Sequence, residues 1–120
     1  MRELVKVFKA LSDKNRLRIL KMLQSKKMCV CELAAALGIT QPSVSKHLSI
    51  LKEAGLVHDT RDGQWIDYTL FVDSDNQYAQ IILCHLHDWI NDDQCIKKDM
   101  SKIKTLSREK ICKKNVMRGS

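Results

Sequence analysis

Two cysteines separated by one residue, Cys29 and Cys31, carry the most distinctive chemistry of this sequence. Thiolates bind soft ions, whereas hard ions require carboxylate and carbonyl oxygens, so a Cys-x-Cys pair favours a soft, thiophilic ion. Lys26 and Lys27 precede the pair, and the positive end of the helix predicted to begin here adds to their electric field. Both effects favour deprotonated sulfur, which is the form that binds a soft ion.

The spacing of the pair restricts its geometry. Side chains two residues apart in a regular helix point about 200° away from each other. Two thiolates that share one ion, with bonds of about 2.3 Å as for zinc, lie within about 4 Å of one another. Hence either Cys29 precedes the first helical turn, or ion binding unwinds that turn. A third sulfur ligand would come from Cys84, Cys95 or Cys112, none of which has a diagnostic spacing.

A helix-turn-helix pattern follows the cysteines. Residues 32–37 are mostly good helix formers, and Gly38 stands where a helix C-terminus favours a left-handed residue. Thr40 then supplies an N-cap hydroxyl, and Pro42 falls in the first turn of the next helix. That helix has apolar residues at helical spacing that are predicted to pack inward, namely Val44, Leu48, Leu51 and Ala54.

The outward face of this second helix predicts DNA contacts, because the N-terminal part of the second helix of such a motif enters the major groove. The candidate contacts on it are Thr40, Gln41, Ser43, Ser45, Lys46 and His47. Arg61 and Gln64, at the tip of a predicted hairpin, are expected to reach an adjacent minor groove or phosphates. The predicted partner is a double-stranded DNA operator with inverted-repeat half-sites, bound by a homodimer.

Two further helices are predicted before this motif. Residues 3–11 have apolar side chains at helical spacing, and Ser12 is expected to cap a second helix with Asp13 in its first turn. Most of the basic residues of that second helix are expected to form a solvated face; they are Lys14, Arg16, Arg18 and Lys21.

After the motif the pattern changes to strands and then back to helix. Asp62-Gly63 lies between two segments of strand character and predicts a hairpin with a type I′ turn. Residues 73–75 can then cap a long helix that is predicted to dimerise by pairing with the first helix. Its apolar residues are Tyr78, Ile82, Leu86, Trp89 and Ile90.

These elements predict a fold that is mainly α with a small β-hairpin, a dimeric winged helix-turn-helix. We expect this DNA-binding and dimerisation domain to span residues 1–93, with a basic C-terminal tail or weak helix at 94–120. The balance of 21 Lys and Arg against 14 Asp and Glu favours a polyanionic partner. Five cysteines without a disulfide framework, and no apolar run of the roughly 20 residues that cross a bilayer, predict a cytoplasmic protein without a membrane partner.

Several of these segments together resemble one known family. Residues 8–13 with 16–20 resemble the N-terminal signature of the ArsR family of metalloregulatory repressors, and residues 41–48 with 51–57 look like its recognition helix and exit. Residues 29–33 are similar to the arsenite site of arsenic-responsive members. The resemblance implies a repressor released from its operator by As(III) or Sb(III), with no organic cofactor and no catalysis. Such repressors often have a third cysteine where this chain has Ala34, so the third ligand stays open.

Other functions are compatible with parts of the sequence. In the same fold, the cysteines would serve a redox or persulfide sensor, with Cys29 or Cys31 pairing with another cysteine on oxidation. The segment from Cys84 to Asp88 is compatible with a zinc or cadmium sensor. His85 and Asp88 share a helix face there, whereas His87 does not, so ordinary surface or interface histidines are favoured. An enzyme is disfavoured, because the sequence has no Cys-x-x-Cys motif and no Ser/His/Asp arrangement. A winged-helix module that binds proteins would not need the Ser, Lys and His side chains on the outward face.

Overall fold

The computed structural model describes residues 1–106 and Ile111, and it confirms a mainly helical winged helix-turn-helix with a two-stranded antiparallel hairpin. The elements are α1 (Arg2–Leu11), α2 (Lys14–Ser25), α3 (Val30–Leu37), α4 (Gln41–Glu53), β1 (Val57–Asp62), β2 (Trp65–Leu70), α5 (Gln77–Leu86) and α6 (Gln94–Thr105). None of the helices in the described part of the chain has the length and apolar character needed to cross a membrane.

The core lies between α2 and the helix-turn-helix. Ile19 and Leu20 of α2 are fully buried, as is Leu33 of α3. The predicted inward residues of the recognition helix are confirmed, since Val44, Leu48, Leu51 and Ala54 are all at most 1% exposed. Gly38 adopts φ 71°, the left-handed conformation that ends α3 and starts the turn into α4.

The N-cap of α2 is Asp13, and the prediction of Ser12 was wrong. The Asp13 carboxylate accepts a hydrogen bond from the backbone N–H of Arg16 at 3.1 Å. The Ser12 hydroxyl instead donates to the Lys9 carbonyl at 3.0 Å, at the end of α1. Partial burial acts to raise the pKa of Asp13, but the Arg16 N–H and the Arg16 charge outweigh it and hold that pKa below its usual value.

Three of the four basic residues of α2 are not on a solvated face, so that prediction was wrong for most of them. Arg16 donates to the Ala10 carbonyl at 2.7 Å, and Arg18 forms a two-pronged ion pair with Asp99 of α6. Lys21 is only 2% exposed, and its ammonium donates to the Leu86 carbonyl at the end of α5. The basic side chains of α2 therefore hold neighbouring helices in place.

The hairpin is confirmed, but its turn lies one residue later than predicted. Asp62 pairs with Trp65, so Gly63 and Gln64 form the two-residue turn. Gly63 has φ 63°, whereas Gln64 has no positive φ, which excludes a type I′ turn because that type requires positive φ at both positions. A two-residue turn with glycine at its first position and another residue at its second is typical of type II′.

Helix α5 is shorter than predicted, and its cap differs. Asn76 caps it by accepting hydrogen bonds from Tyr78 and Ala79, and the helix ends at Leu86. Trp89 and Ile90 lie beyond the end, and Ile90 has a φ of 56° that helical backbone does not adopt. The apolar spacing that predicted a long helix continues into these turns, where both side chains are at least 40% exposed.

Helix α6 packs against α2 and α3. Ile96 and Ile103 of α6 are buried, and its Asp99 carboxylate accepts two hydrogen bonds of 2.8 Å from Arg18. The Lys102 ammonium also donates to the Ala36 carbonyl near the end of α3. Residues 94–105 are thus attached to the domain, while the boundary at residues 93 and 94 stays a prediction.

Replacing Asp99 by alanine tests the attachment of α6. The carboxylate is 4% exposed, and removing one partner of a buried pair leaves the other charge uncompensated. We expect D99A to lower the free energy of unfolding by about 3 kcal/mol in urea denaturation at fixed protein concentration. Lys98→Ala, which changes an exposed neighbour, is the control. A D99A curve that coincides with the control would contradict this role of the ion pair.

Candidate thiol site and DNA-binding surface

Cys29 is the N-cap of α3. Its backbone is extended, with φ −92° and ψ 170°, and helical geometry begins at Val30. Cys29 therefore precedes the first helical turn, which is one of the two arrangements that the Cys-x-Cys spacing allows. The residue is 5% exposed, whereas Cys31, inside the first turn, is partly exposed. One sulfur is thus placed at the helix end and the other faces towards solvent from the same turn.

Glu32 completes a capping box with Cys29. The Cys29 side chain accepts from the backbone N–H of Glu32, and the Glu32 carboxylate accepts from the backbone N–H of Cys29 at 3.0 Å. Glu32 is only 4% exposed. Its helix-forming tendency was predicted, but its capping role was not. The signal for that role is a Glu three residues after an N-cap, with Cys in the place of the usual Ser or Thr.

The lysines before the cysteines have other partners. Lys26 donates to the Ile103 carbonyl of α6 at 3.0 Å, and the Lys27 ammonium lies 3.9 Å from the fully buried carboxylate of Asp67. Their predicted influence on the thiols stays a prediction.

Met28, immediately before the pair, is bonded to the hairpin. Its N–H donates to the Tyr68 carbonyl at 3.2 Å, and the Tyr68 N–H donates to the Met28 carbonyl at 2.8 Å. The chain entering the thiol site is therefore fixed to β2, while the chain leaving it continues through α3 into α4. No local sequence signal predicts this bridge, which joins residues 40 positions apart.

The other cysteines are distributed over the molecule. Cys84 is exposed on α5. Cys95 lies at the beginning of α6, which runs alongside α2 in the same direction because Arg18 contacts Asp99 and Lys26 contacts Ile103. Eight residues of helix, about 12 Å, separate Cys95 from Ile103, the residue that Lys26 contacts. Cys112 lies outside the described residues, and within residues 1–106 no cluster of three His, Cys, Asp or Glu side chains could hold a metal ion.

The candidate DNA contacts share one surface. Thr40 caps α4 by accepting from the Ser43 N–H at 3.3 Å, which confirms its predicted capping role. Ser45 and Lys46 are exposed one turn further on, and Gln41, Ser43 and His47 are partly exposed. Arg61 and Gln64 are exposed at the end of the hairpin. These placements agree with a groove-facing helix and a wing, while the individual DNA contacts stay predictions.

His47 is held by Arg16, for which the sequence predicted only a solvated position. The Arg16 guanidinium lies 3.2 Å from Nδ1 of His47 and also donates to the carbonyls of Lys9 and Ala10. Because arginine can only donate, Nδ1 accepts and the ring proton of a neutral His47 is on Nε2. Arg16 therefore fixes the orientation of His47 and joins α4 to the α1–α2 corner.

The recognition helix is also joined to the hairpin. The Lys52 ammonium lies 2.7 Å from the Asp59 carboxylate of β1. The hydrogen bond from Lys52 is the main cause of the lowered pKa of Asp59. Lys52, which is exposed near the end of α4, thus joins the recognition helix to the wing.

Comparison with known proteins identifies the family. The profile of the bacterial regulatory protein, arsR family, matches residues 13–59. The arsenic resistance transcriptional regulator ArsR1 of Pseudomonas putida is 48% identical over 65 residues, or 53% of this chain and 51% of ArsR1. The regulator ArsR2 of the same organism is 37% identical over 98 residues, or 78% of this chain and 85% of ArsR2. The chain thus spans about half of the length of ArsR1 and most of ArsR2.

Solved structures agree with this assignment. A homodimeric winged helix-turn-helix DNA-binding domain from Mycobacterium bovis, a possible ArsR-family regulator, superposes with TM-score 0.61 at 28% identity, covering 72% of this chain and 80% of that one. The cadmium metal-sensor CMTR of Mycobacterium tuberculosis superposes with TM-score 0.56 at 32% identity, covering 72% and 83%. By its sequence and its fold, the chain belongs to the arsR family of bacterial regulatory proteins.

Proposed function

We propose that this protein is a homodimeric transcriptional repressor that leaves its DNA operator when As(III) or Sb(III) binds Cys29 and Cys31. The observation that carries the proposal is that Cys29 combines two roles. Its sulfur is one of the two proposed ion ligands, and it also caps the first helix of the DNA-binding motif. Two relatives named as arsenic resistance regulators support the choice of inducer. The need for reduced thiols fits a cytoplasmic protein.

Ion binding and helix capping compete for the same sulfur. Each arsenic–sulfur bond forms as a thiol displaces one hydroxide of arsenous acid, which leaves with the thiol proton as water. A Cys29 sulfur directed at arsenic no longer accepts the N–H of Glu32. Because Cys29 precedes the first helical turn, its side chain can turn towards the ion bound by Cys31, and the first turn of α3 then loses its cap.

The change reaches the DNA-binding surface through short connections. Only Gly38, Ile39 and Thr40 separate α3 from α4, and the two helices pack against each other. Met28 holds the other side of the site to Tyr68 of the wing. A coupling free energy of about 1–3 kcal/mol between ion and DNA would weaken operator binding roughly 5- to 150-fold.

We expect the third arsenic ligand to come from outside the N-terminal turn of α3 that holds Cys29 and Cys31. Cys95 is about 12 Å along α6 from the end that contacts Lys26, so within one subunit it is badly placed. Cys84, Cys112, a partner subunit's cysteine, a small thiol or water would complete the coordination. A singly methylated arsenical needs only the two sulfurs of Cys29 and Cys31.

The proposed dimer uses exposed apolar side chains of α1 and α5, which pack side by side. Phe8 is 56% exposed and Ile81 is 53% exposed, while Val5 adds a further exposed apolar side chain. A two-fold axis through this surface would present two copies of α4 to successive major grooves, as an inverted repeat requires.

A zinc- or cadmium-responsive repressor is the second candidate, favoured by the likeness to the cadmium metal-sensor. The predicted residues on α5 are less suited to it, because the His85 ring stacks on Trp89 with centroids 5.6 Å apart. His87 lies 3.3 Å from the adjacent Asp88. Operator release by Cd(II), but not by As(III), would select this candidate.

Operator binding with and without arsenite tests the thiol site. Cys29→Ser and Cys31→Ser remove one ligand each, while serine at position 29 retains a good N-cap. We expect both variants to bind operator normally and to lose the arsenite response, as measured by fluorescence anisotropy. Cys95→Ser, about 12 Å along α6 from the end that contacts Lys26, is the matched control for thiol loss. Arsenite release that persists in both variants would rule out this pair as the sensor.

Comparing two substitutions of Cys29 tests the link between cap and DNA affinity. Alanine removes the side-chain acceptor that serine retains, at a cost of about 1 kcal/mol in helix stability. Without arsenite, Cys29→Ala is therefore expected to unfold at lower urea and bind operator more weakly than Cys29→Ser. Equal operator affinities for the two variants, despite different stabilities, would show that the cap does not control DNA binding.

Salt titrations test the proposed DNA surface. Lys46→Ala and Arg61→Ala each remove one cation per subunit, so in a dimer each is expected to reduce the slope of log K against log salt by about 2. Lys98→Ala removes the same charge from exposed α6 and is the control. A slope equal to that of the control would exclude the substituted residue from phosphate contact.

A further inference from the structure

An open pocket of about 610 Å³ lies on the side of the molecule formed by α2, α6 and the segment between α5 and α6. Its size falls within the range of small-molecule sites, which is about 300–1,000 Å³. It is lined by three lysines, Lys21, Lys97 and Lys104, and by the polar side chains of Gln24, Ser25 and Ser101. Among the described residues no Asp or Glu lines it, so the lining that they form is cationic.

Lys21 is the residue of this pocket whose positive charge is least compensated by its neighbours. The side chain is 2% exposed, and its ammonium donates only to the backbone carbonyls of Leu86 and His87. None of the ion pairs among the described residues includes it. Burial lowers the Lys21 pKa, against an attraction to the largely exposed Asp88. A buried ammonium with neutral partners is costly, and an anion in the pocket would compensate its charge.

Gln24 adds an independent observation. Its Nε2 is buried and has no hydrogen-bond partner among the described residues. Buried side-chain donors are rarely left unsatisfied, and an unpaired one calls for a missing acceptor. Gln24 and Lys21 are three residues apart on α2 and therefore share a face of that helix, and both residues line the pocket.

We propose that this pocket binds a small molecule bearing a phosphate group, through Lys21, Gln24, Lys97 and Lys104. The donor set suits phosphate, because ammonium groups act as point charges and hydroxyl groups as further donors around its tetrahedral oxygens. The pocket is distinct from the thiol pair and from the DNA-binding surface, so this site does not depend on the proposed arsenic response.

Calorimetric titration at constant ionic strength tests the site in the full-length protein without DNA. The probes are inorganic phosphate, glycerol 3-phosphate and citrate. We expect saturable binding of glycerol 3-phosphate with a dissociation constant below about 1 mM, and weaker binding of citrate despite its greater charge. Binding of none of the three, or tightest binding of citrate, would overturn the proposal.

Variants at the rim of the pocket show where the probe binds. Ser101→Asp places a carboxylate beside the expected phosphate and should weaken binding at least tenfold, whereas the near-isosteric Ser101→Asn should stay within twofold. Lys98→Ala, which changes net charge by the same amount as Ser101→Asp but does not line the pocket, controls for overall charge. Equal weakening by Ser101→Asp and Lys98→Ala would mean that the anion is attracted by the whole protein, and would overturn the site.

Discussion

The hydrogen bond from the Glu32 backbone N–H to the side chain of Cys29 is the interaction on which the proposed switch depends. The first N–H groups of a helix have no partner within the helix, and a side chain at the N-cap supplies one. Here that side chain is a thiol, a weak acceptor of hydrogen bonds and a strong ligand for soft ions. The bond that begins α3 is thus one that a thiophilic ion is well suited to break.

In the proposed switch, the surroundings of the cap would transmit its loss to the DNA-binding surface. Met28 is bonded to Tyr68, so the chain before the site is held by the wing. The chain after it has eight helical residues and a short turn before α4. Helix α6 braces the far end of α3 through Lys102. Because the chain is held on both sides of the cap, a distortion of the first turn would change mainly the orientation of α4 relative to the wing.

Local signals predicted much of this architecture, and long-range pairings account for most of the misses. Gly38, Thr40 and Pro42 each mark a helix end through their own backbone chemistry, and the structure has all three in those roles. The partners of Arg18 and Lys21 are 81 and 65 residues away, so their sequence neighbourhoods predicted only a solvated face. The hairpin was predictable, but its turn residues were not, because Asp62-Gly63 and Gly63-Gln64 differ by one position of strand register. The thiol pair was visible in the sequence, whereas its capping role required the observed position of the helix end.

The most direct test of the account is amide hydrogen exchange in α3, measured by NMR on the DNA-free protein with and without arsenite. The Glu32 N–H is bonded to the Cys29 side chain, and the Leu33 N–H is bonded to the Cys29 carbonyl at 3.1 Å. If arsenic takes the capping sulfur, both amides lose protection on arsenite binding, while buried α2 amides such as that of Leu20 keep theirs. Unchanged protection of Glu32 and Leu33 in protein saturated with arsenite would contradict the claim that sensing and uncapping are the same event.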